Sequence, residues 1–116
     1  MTAFETAWAL LKMPYHGTDR YSAEEILQSG LNVYPSTIIY DGKIEDGDFS
    51  FASEAGWEAT EYAEEMAELG DGEGIVLHIS DDFKPYVRVG QHYIYNKIIP
   101  PEYIRAVYST TRGDLE

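Results

Sequence analysis

The sequence contains no cysteine and has few basic residues to offset its acids. Without cysteine there are no disulfides, thiolate nucleophiles or cysteine-ligated zinc, so a cytoplasmic protein is expected. No run of about 18 apolar residues is present to span a bilayer, and no basic segment followed by an apolar one predicts a signal peptide. The sequence therefore favours a soluble protein without a membrane partner.

Negative charge is concentrated in the middle of the chain. Of the 21 Asp and Glu residues, fourteen lie between Asp41 and Asp82, where Lys43 is the only base, whereas the flanking segments are neutral. Because Lys and Arg neutralise phosphates, this segment would repel a nucleic-acid backbone and an anionic membrane surface. We therefore exclude both as partners and keep a basic protein as the alternative partner of the acidic segment.

Length and patterning predict one small α+β domain over residues 1–116. A hydrophobic fraction of 44% suffices for a core, and no linker or repeat divides the chain. Capping-box spacing predicts helices beginning near Thr2 and Ser22, the second ending at Gly30, and Ser53 is the expected N-cap of a third. The order of elements predicts mostly antiparallel pairing. The expected strands are Tyr15–Thr18, Ser36–Tyr40, Phe49–Ala52, Ile75–Ile79, Tyr86–Val89, Tyr93–Ile98 and Ile104–Ser109, with Lys43–Asp48 as a loop.

The third predicted helix carries an apolar stripe and a row of glutamates. The stripe consists of Ala55, Ala59, Tyr62, Ala63 and Met66. The glutamates recur every three or four residues, a spacing that places them on one other face, and they are Glu54, Glu58, Glu61, Glu65 and Glu68. This row is the candidate surface for a basic protein partner. The alternative is a solvated face that aids solubility.

The sharpest local pattern is Tyr15-His16-Gly17-Thr18, followed by Ile26-Leu27 and Gly30-Leu31. An imidazole at a strand end can donate a hydrogen bond to a ribose hydroxyl. A neighbouring glycine lets a planar ring approach the backbone. The alternative interpretation is a histidine in a turn, bonded to a local carbonyl. His78, in an apolar run, is expected to be a hydrogen-bonded core or edge residue.

Together with two later segments, this pattern resembles the ADP-ribosyltransferases of the diphtheria-toxin and poly(ADP-ribose)-polymerase type. Phe49-Ser50-Phe51-Ala52-Ser53 with Tyr62-Ala63 is similar to the family's second motif, and His92-Tyr93-Ile94-Tyr95 is similar to its third. The resemblance implies an ADP-ribosyltransferase-like fold, NAD as substrate, and transfer of ADP-ribose to a macromolecule or nucleotide. A histidine-rich site also resembles that of the related RNA 2′-phosphotransferases, in which His and Arg bind a phosphate, and Arg20 and Arg88 are then the candidates.

The resemblance also implies residue roles. His16 would hold the adenosine ribose, the Gly17 backbone would hold the nicotinamide amide, and Thr18 would hydrogen-bond nearby. Tyr62 would stack on the nicotinamide ring, and Phe51 is adjacent to Ser50, where the family's first stacking tyrosine falls. His92 falls where the family has its catalytic glutamate, near the nicotinamide ribose. The expected catalytic residues are therefore His16, Tyr62 and His92. The alternatives are core packing for Tyr62 and a surface strand position for His92.

The glutamate position matters because an oxocarbenium-like transition state needs a carboxylate or its equivalent for electrostatic stabilisation. Two functions therefore remain open. One is an NAD-dependent ADP-ribosyltransferase. The other is a catalytically silent acidic protein, such as a phage or mobile-element product in the host cytoplasm, that blocks a basic partner or mimics nucleic-acid charge. No metal is expected, because Asp41, Asp46 and Asp48 lack the EF-hand spacing.

Overall fold

The computed structural model describes residues 13–115, which form eight strands and two α-helices. The helix predicted from Thr2 lies outside these residues. In chain order the elements are β1 (Tyr15–Asp19), α1 (Arg20–Ser29), β2 (Tyr34–Tyr40), β3 (Lys43–Ser53), α2 (Gly56–Leu69), β4 (Gly74–Ile79), β5 (Val87–Val89), β6 (His92–Tyr95), β7 (Ile104–Ser109) and β8 (Gly113–Asp114), with a 3-10 turn at Pro101–Tyr103 before β7.

The strands form one antiparallel sheet in the order β5-β6-β3-β1-β4-β7-β8. Strand β2 stands off this path and pairs only with the first part of β3, making a hairpin whose turn is at Asp41-Gly42. The second part of β3, Ser50–Ser53, pairs with β6. This architecture confirms a small single α+β domain with antiparallel pairing.

The two helices cover opposite faces of the central strand β4. Alternate residues of a strand point to opposite faces, and every residue of β4 is buried. The face toward α1 packs Ala23, Ile26, Ile75, Leu77 and Ile79 into one cluster. The face toward α2 packs Tyr15, Ala59, Ala63, Val76 and Val107 into a second. Burial on both faces explains the continuous apolar run of β4.

Helix α1 begins two residues earlier than the sequence predicts. Its N-cap is Asp19, whose carboxylate accepts from the Ser22 backbone N–H at 3.3 Å, so Ser22 lies inside the helix. The predicted end at Gly30 is confirmed, because this residue has a φ of 94° and donates to the Ile26 carbonyl at 2.7 Å. An L-residue there would be strained in φ, which accounts for the glycine.

The prediction of a loop at Lys43–Asp48 is wrong, because these residues form the first half of β3. Both faces of this hairpin are largely exposed, so its residues need no alternation of apolar and polar side chains. Strand β6 also ends at Tyr95 and not at Ile98. Among residues 13–115, no helix is long and apolar enough to cross a bilayer.

Helix α2 begins at Gly56, later than predicted, because Ser53 is the last residue of β3. The Ser53 hydroxyl accepts from the Ala55 N–H at 3.0 Å, ahead of the helix. Glu54 consequently precedes the helix and does not belong to its glutamate row. The predicted apolar stripe is also corrected, because the buried residues of α2 are Gly56, Ala59, Thr60, Ala63 and Ala67.

Candidate functional site

A cleft of about 1040 Å³ opens where β1 and β3 diverge. The two strands share only one register pair, Tyr15 with Ser53, so the sheet is split beyond that point. Helix α1, helix α2 and the hairpin complete the walls. The structure brings together here all six residues that the sequence singled out for catalysis or NAD binding, namely His16, Gly17, Thr18, Phe51, Tyr62 and His92.

His16 is joined to the opposite wall of the cleft through its ring. Its Nδ1 lies 2.8 Å from the Phe51 carbonyl oxygen. Desolvation lowers the pKa of His16 below 6.5, and the hydrogen bond with Phe51, which raises it, does not compensate. A carbonyl oxygen only accepts, so Nδ1 carries the proton of a neutral ring and Nε2 is an acceptor. The expectation that His16 donates to a ribose is therefore corrected, because Nε2 would accept from the hydroxyl.

Gly17 is required by the packing of helix α2, not by a ligand ring. A Cβ added at Gly17 would lie 2.0 Å from the Ala59 carbonyl oxygen and 2.9 Å from the Ala63 nitrogen. The expected space for a planar ring is therefore occupied by the helix backbone on this side. Gly74, on β4, also lies beneath the helix, and a Cβ added there would lie 2.2 Å from the Ala63 carbonyl oxygen. Because Gly17 and Gly74 have no side chains, α2 packs close to the sheet.

The peptide groups of Gly17 are nevertheless directed at the cleft. The Ile79 N–H donates to the Pro14 carbonyl oxygen at 2.9 Å. In the register of β1 with β4, the backbone groups of His16 and Thr18 therefore also point toward β4. Antiparallel strands alternate their bonding direction, so the N–H and C=O of Gly17 point toward β3. Because β1 and β3 pair only at Tyr15 and Ser53, the N–H and C=O of Gly17 face the gap between the two strands. Thr18 is buried beside them, and its hydroxyl lies 3.5 Å from the Asp19 carboxylate.

Two aromatic rings border the cleft with faces open to solvent. Tyr62 is 51% exposed and Phe51 is 39% exposed, although both line the cavity. The alternative that Tyr62 is a core residue is excluded by this exposure. An exposed ring at the edge of a cavity is available for stacking on a planar ligand. The site therefore combines two aromatic faces with the Nε2 acceptor of His16.

Glu58 is a cleft residue that the sequence analysis assigned only to the acidic surface. Its carboxylate accepts from Gln91 Nε2 at 2.7 Å and lies 2.9 Å from His92 Nε2, while its side chain also lines the cavity. One signal was available, because Glu58 precedes Tyr62 by four residues and such pairs share a helix face. His92, the residue at the expected glutamate position, is therefore in contact with a carboxylate from the neighbouring helix.

The environment keeps Glu58 ionised. Burial raises its pKa, but hydrogen bonds from Ser53 and Gln91, together with the charge and hydrogen bond of His92, hold the pKa of Glu58 below 4.5. An ionised carboxylate only accepts, so the His92 Nε2 atom carries the hydrogen of this contact. Glu58 also lies in the first turn of α2, where the helix dipole favours negative charge.

The basic residues considered for phosphate binding do not line the cleft and are paired with acids elsewhere. Arg20 lies within 3.7 Å of Glu24, Asp71 and Glu73. Arg88 pairs with Glu54 and stacks over Tyr93 at 4.7 Å. No Lys or Arg lines the cleft within residues 13–115, and its acids are Glu25 and Glu58. These contacts disfavour an arginine-anchored phosphate site.

The row of glutamates is divided in two by the structure. Glu54 and Glu58 bond to the β5–β6 hairpin, whereas Glu61, Glu65 and Glu68 on α2 are exposed. In the part of the chain that the structure describes, no group of three His, Asp or Glu is placed to hold a metal ion. Of the predicted row, only Glu61, Glu65 and Glu68 therefore form an exposed acidic surface on α2, and Glu58 lines the cleft.

Comparison with other proteins gives no assignment. No protein-family model, curated protein or solved structure matches the chain. What remains is the chemistry of the cleft, which joins a neutral imidazole acceptor, the Gly17 peptide groups, two aromatic rings and the ionised carboxylate of Glu58.

Proposed function

We propose that the cleft binds NAD or a related nucleotide and that the protein is an ADP-ribosyltransferase-like enzyme that transfers ADP-ribose to a macromolecule or nucleotide. The observation that carries the proposal is the convergence of three segments that are far apart in sequence. They lie on adjacent strands β1, β3 and β6, and His16, Tyr62 and His92 all line one cleft. The cleft volume of about 1040 Å³ also suits a ligand of this size.

The proposed contacts follow the geometry of the site. His16 accepts a hydrogen bond from a ribose hydroxyl through Nε2, since Nδ1 is bound to Phe51. The N–H and C=O of Gly17 hold the carboxamide of nicotinamide, which needs one donor and one acceptor. Tyr62 stacks on the nicotinamide ring. The cationic ring is also attracted to the aromatic face of Tyr62.

The pyrophosphate is the weakly held part of NAD in this arrangement, because no Lys or Arg of residues 13–115 lines the cleft. Hydroxyl and backbone donors of α1 and β1 are the groups left to solvate it. Binding energy therefore comes mainly from the two nucleoside halves of NAD, through His16 and Tyr62. Nicotinamide riboside, which lacks the adenosine ribose assigned to His16, should bind more weakly than NAD.

Calorimetric titration with NAD tests the proposal. The wild-type protein should bind NAD in a single-site isotherm, and His16→Ala should weaken binding at least about tenfold, equivalent to about 1.4 kcal/mol. Tyr62→Ala should weaken binding similarly, whereas the matched control Tyr62→Phe keeps the stacking ring and should bind as the wild type does. Absence of binding by the wild type at several millimolar NAD would refute the proposal.

A second candidate function is an acidic protein that engages a basic partner without catalysis. The observation in its favour is the exposed part of α2, where Glu61, Glu64, Glu65 and Glu68 are all solvent-accessible. Association through such charges weakens with salt, since screening acts within about 10 Å at 0.1 M. Reversing Glu61, Glu65 and Glu68 to Lys should abolish partner capture and leave NAD binding intact. Capture that survives this reversal would exclude the acidic face.

A further inference from the structure

The cleft lacks a glutamate at the strand position that the family resemblance assigns to catalysis, since His92 stands there. His92 is, however, hydrogen-bonded to Glu58, which reaches the same place from α2. The negative charge required near the nicotinamide ribose is therefore present, but it comes from a different element. The inference that follows rests on the proposed binding of NAD in this cleft.

We propose that Glu58 is the catalytic carboxylate of this protein, and that His92 and Gln91 position it. Glu58 is accessible to a ligand in the cleft, because it lines the cavity together with His16 and Tyr62 and its side chain is 32% exposed. A ligand stacked on Tyr62 lies against the residue one helical turn earlier, which is Glu58.

The carboxylate is held in place but keeps an acceptor position. Ser53, Gln91 and His92 occupy three acceptor positions of Glu58. An ionised carboxylate offers about four lone-pair positions, so one remains for a ribose hydroxyl. Donors arranged before the ligand arrives fix the charge without reorganisation during the reaction, which is the condition for strong electrostatic stabilisation.

The reaction step is cleavage of the bond between ribose C1′ and the nicotinamide ring nitrogen. The bonding electron pair passes to that nitrogen, and neutral nicotinamide leaves. Positive charge then develops on the C1′–O4′ unit of the ribose, and Glu58 stabilises it through a hydrogen bond from the 2′-hydroxyl. A nucleophile, water in the simplest case, forms a new bond to C1′ and releases one proton to solvent. The products with water are ADP-ribose, nicotinamide and a proton.

His92 acts through Glu58 and is a positioning residue. Its Nε2–H bonds to Glu58 Oε1, while Gln91 bonds to Oε2, so the two donors fix both carboxylate oxygens. Removing one donor should misplace the carboxylate without removing its charge. His92→Ala should therefore lower kcat less than loss of Glu58 does. His92→Gln, which keeps an N–H donor of similar reach, should restore most of the wild-type kcat.

The test measures release of nicotinamide from NAD, with water as the acceptor, for the wild type and Glu58→Gln. Glutamine keeps the size of the side chain and removes its charge. We expect kcat to fall about 100- to 1000-fold, the range found for loss of one oriented stabilising group. The dissociation constant for NAD, measured by calorimetry, should change less than about threefold, because binding depends mainly on His16 and Tyr62.

Glu61→Gln is the matched control, because it removes the same charge from an exposed position three residues later on α2. It should leave kcat and NAD binding unchanged. Nicotinamide release by Glu58→Gln at the wild-type rate would overturn the assignment. So would a wild-type protein that binds NAD and releases no nicotinamide above the uncatalysed rate. Failure of the wild type to bind NAD is a different result, because it refutes the proposed function itself.

Discussion

Replacing Gly17 with alanine should disturb the packing of α2 on the sheet and, with it, the geometry of the cleft. The added Cβ would lie 2.0 Å from the Ala59 carbonyl oxygen, whereas ordinary contacts begin at 3.4 Å. The helix backbone must therefore withdraw by about 1.4 Å at this point, the difference between these two distances. The obstacle is a main-chain oxygen inside α2, so no change of side-chain rotamer relieves it.

The cost should lie at the upper end of the range for overpacking. Inserting a methyl group into a packed interior typically costs about 1–3 kcal/mol, and more where the neighbour cannot move. Gly74, on the neighbouring strand β4, packs against the same helix, so tilting the helix about Gly17 would also strain its contact with Gly74. We expect Gly17→Ala to lower the free energy of unfolding by at least about 3 kcal/mol. A displacement of about 1 Å in the helix that carries Glu58 and Tyr62 should also reduce activity up to about 100-fold.

Urea unfolding followed by far-UV circular dichroism measures the first effect, and the rate of nicotinamide release from NAD by the folded variant measures the second. Gly42→Ala is the control, because Gly42 has a φ of 72° and no atom within 4 Å of its added Cβ. An L-residue in that conformation costs about 1–2 kcal/mol, and the hairpin turn does not line the cleft. If Gly17→Ala is no more destabilising than Gly42→Ala, the close packing of α2 on the sheet is incorrect.

Two further predictions concern pH. Hydrogen bonds from Ser109 and Arg112 hold the pKa of Glu73 below 4.5, so Glu73 stabilises the fold above that pH and loses this contribution in acid. Glu73→Gln should therefore be less stable than the wild type at pH 7 and lose less stability between about pH 4.5 and 3, as urea titrations at each pH will show. For His16, whose pKa lies below 6.5, NAD affinity should be constant from about pH 8 to 7 and fall only below pH 6.5, when protonation removes the Nε2 acceptor. A calorimetric affinity that falls steadily from pH 8 would contradict the lowered pKa of His16.

Elements with a strong local signal were predictable from the sequence. Gly30 marks the end of α1 because its φ is positive, and the apolar run Ile75–Ile79 marks a strand that is buried on both faces. His16 and Tyr62, which the motif patterns single out, both line the cleft. In each case the physical constraint acts within a few residues of the chain, where a sequence pattern can record it.

Features that depend on distant contacts were not predictable. Lys43–Asp48 forms a strand because β2 supplies its hydrogen bonds, although neither face of the hairpin is apolar enough to show alternation. Glu58 appeared to be one member of an acidic row, and only its contacts with Gln91 and His92, more than thirty residues later, bring it into the site. The reason for Gly17 is likewise a helix that begins almost forty residues after it.

Amide chemical shifts recorded during a titration with NAD test the central claim most directly. If the cleft is the binding site, the shifts of Gly17, Phe51, Tyr62 and His92 should move together with one dissociation constant. The hairpin turn at Asp41-Gly42, remote from the cleft residues, should not change. Shifts centred on the hairpin turn or scattered over the surface would contradict the account, as would no change at several millimolar NAD.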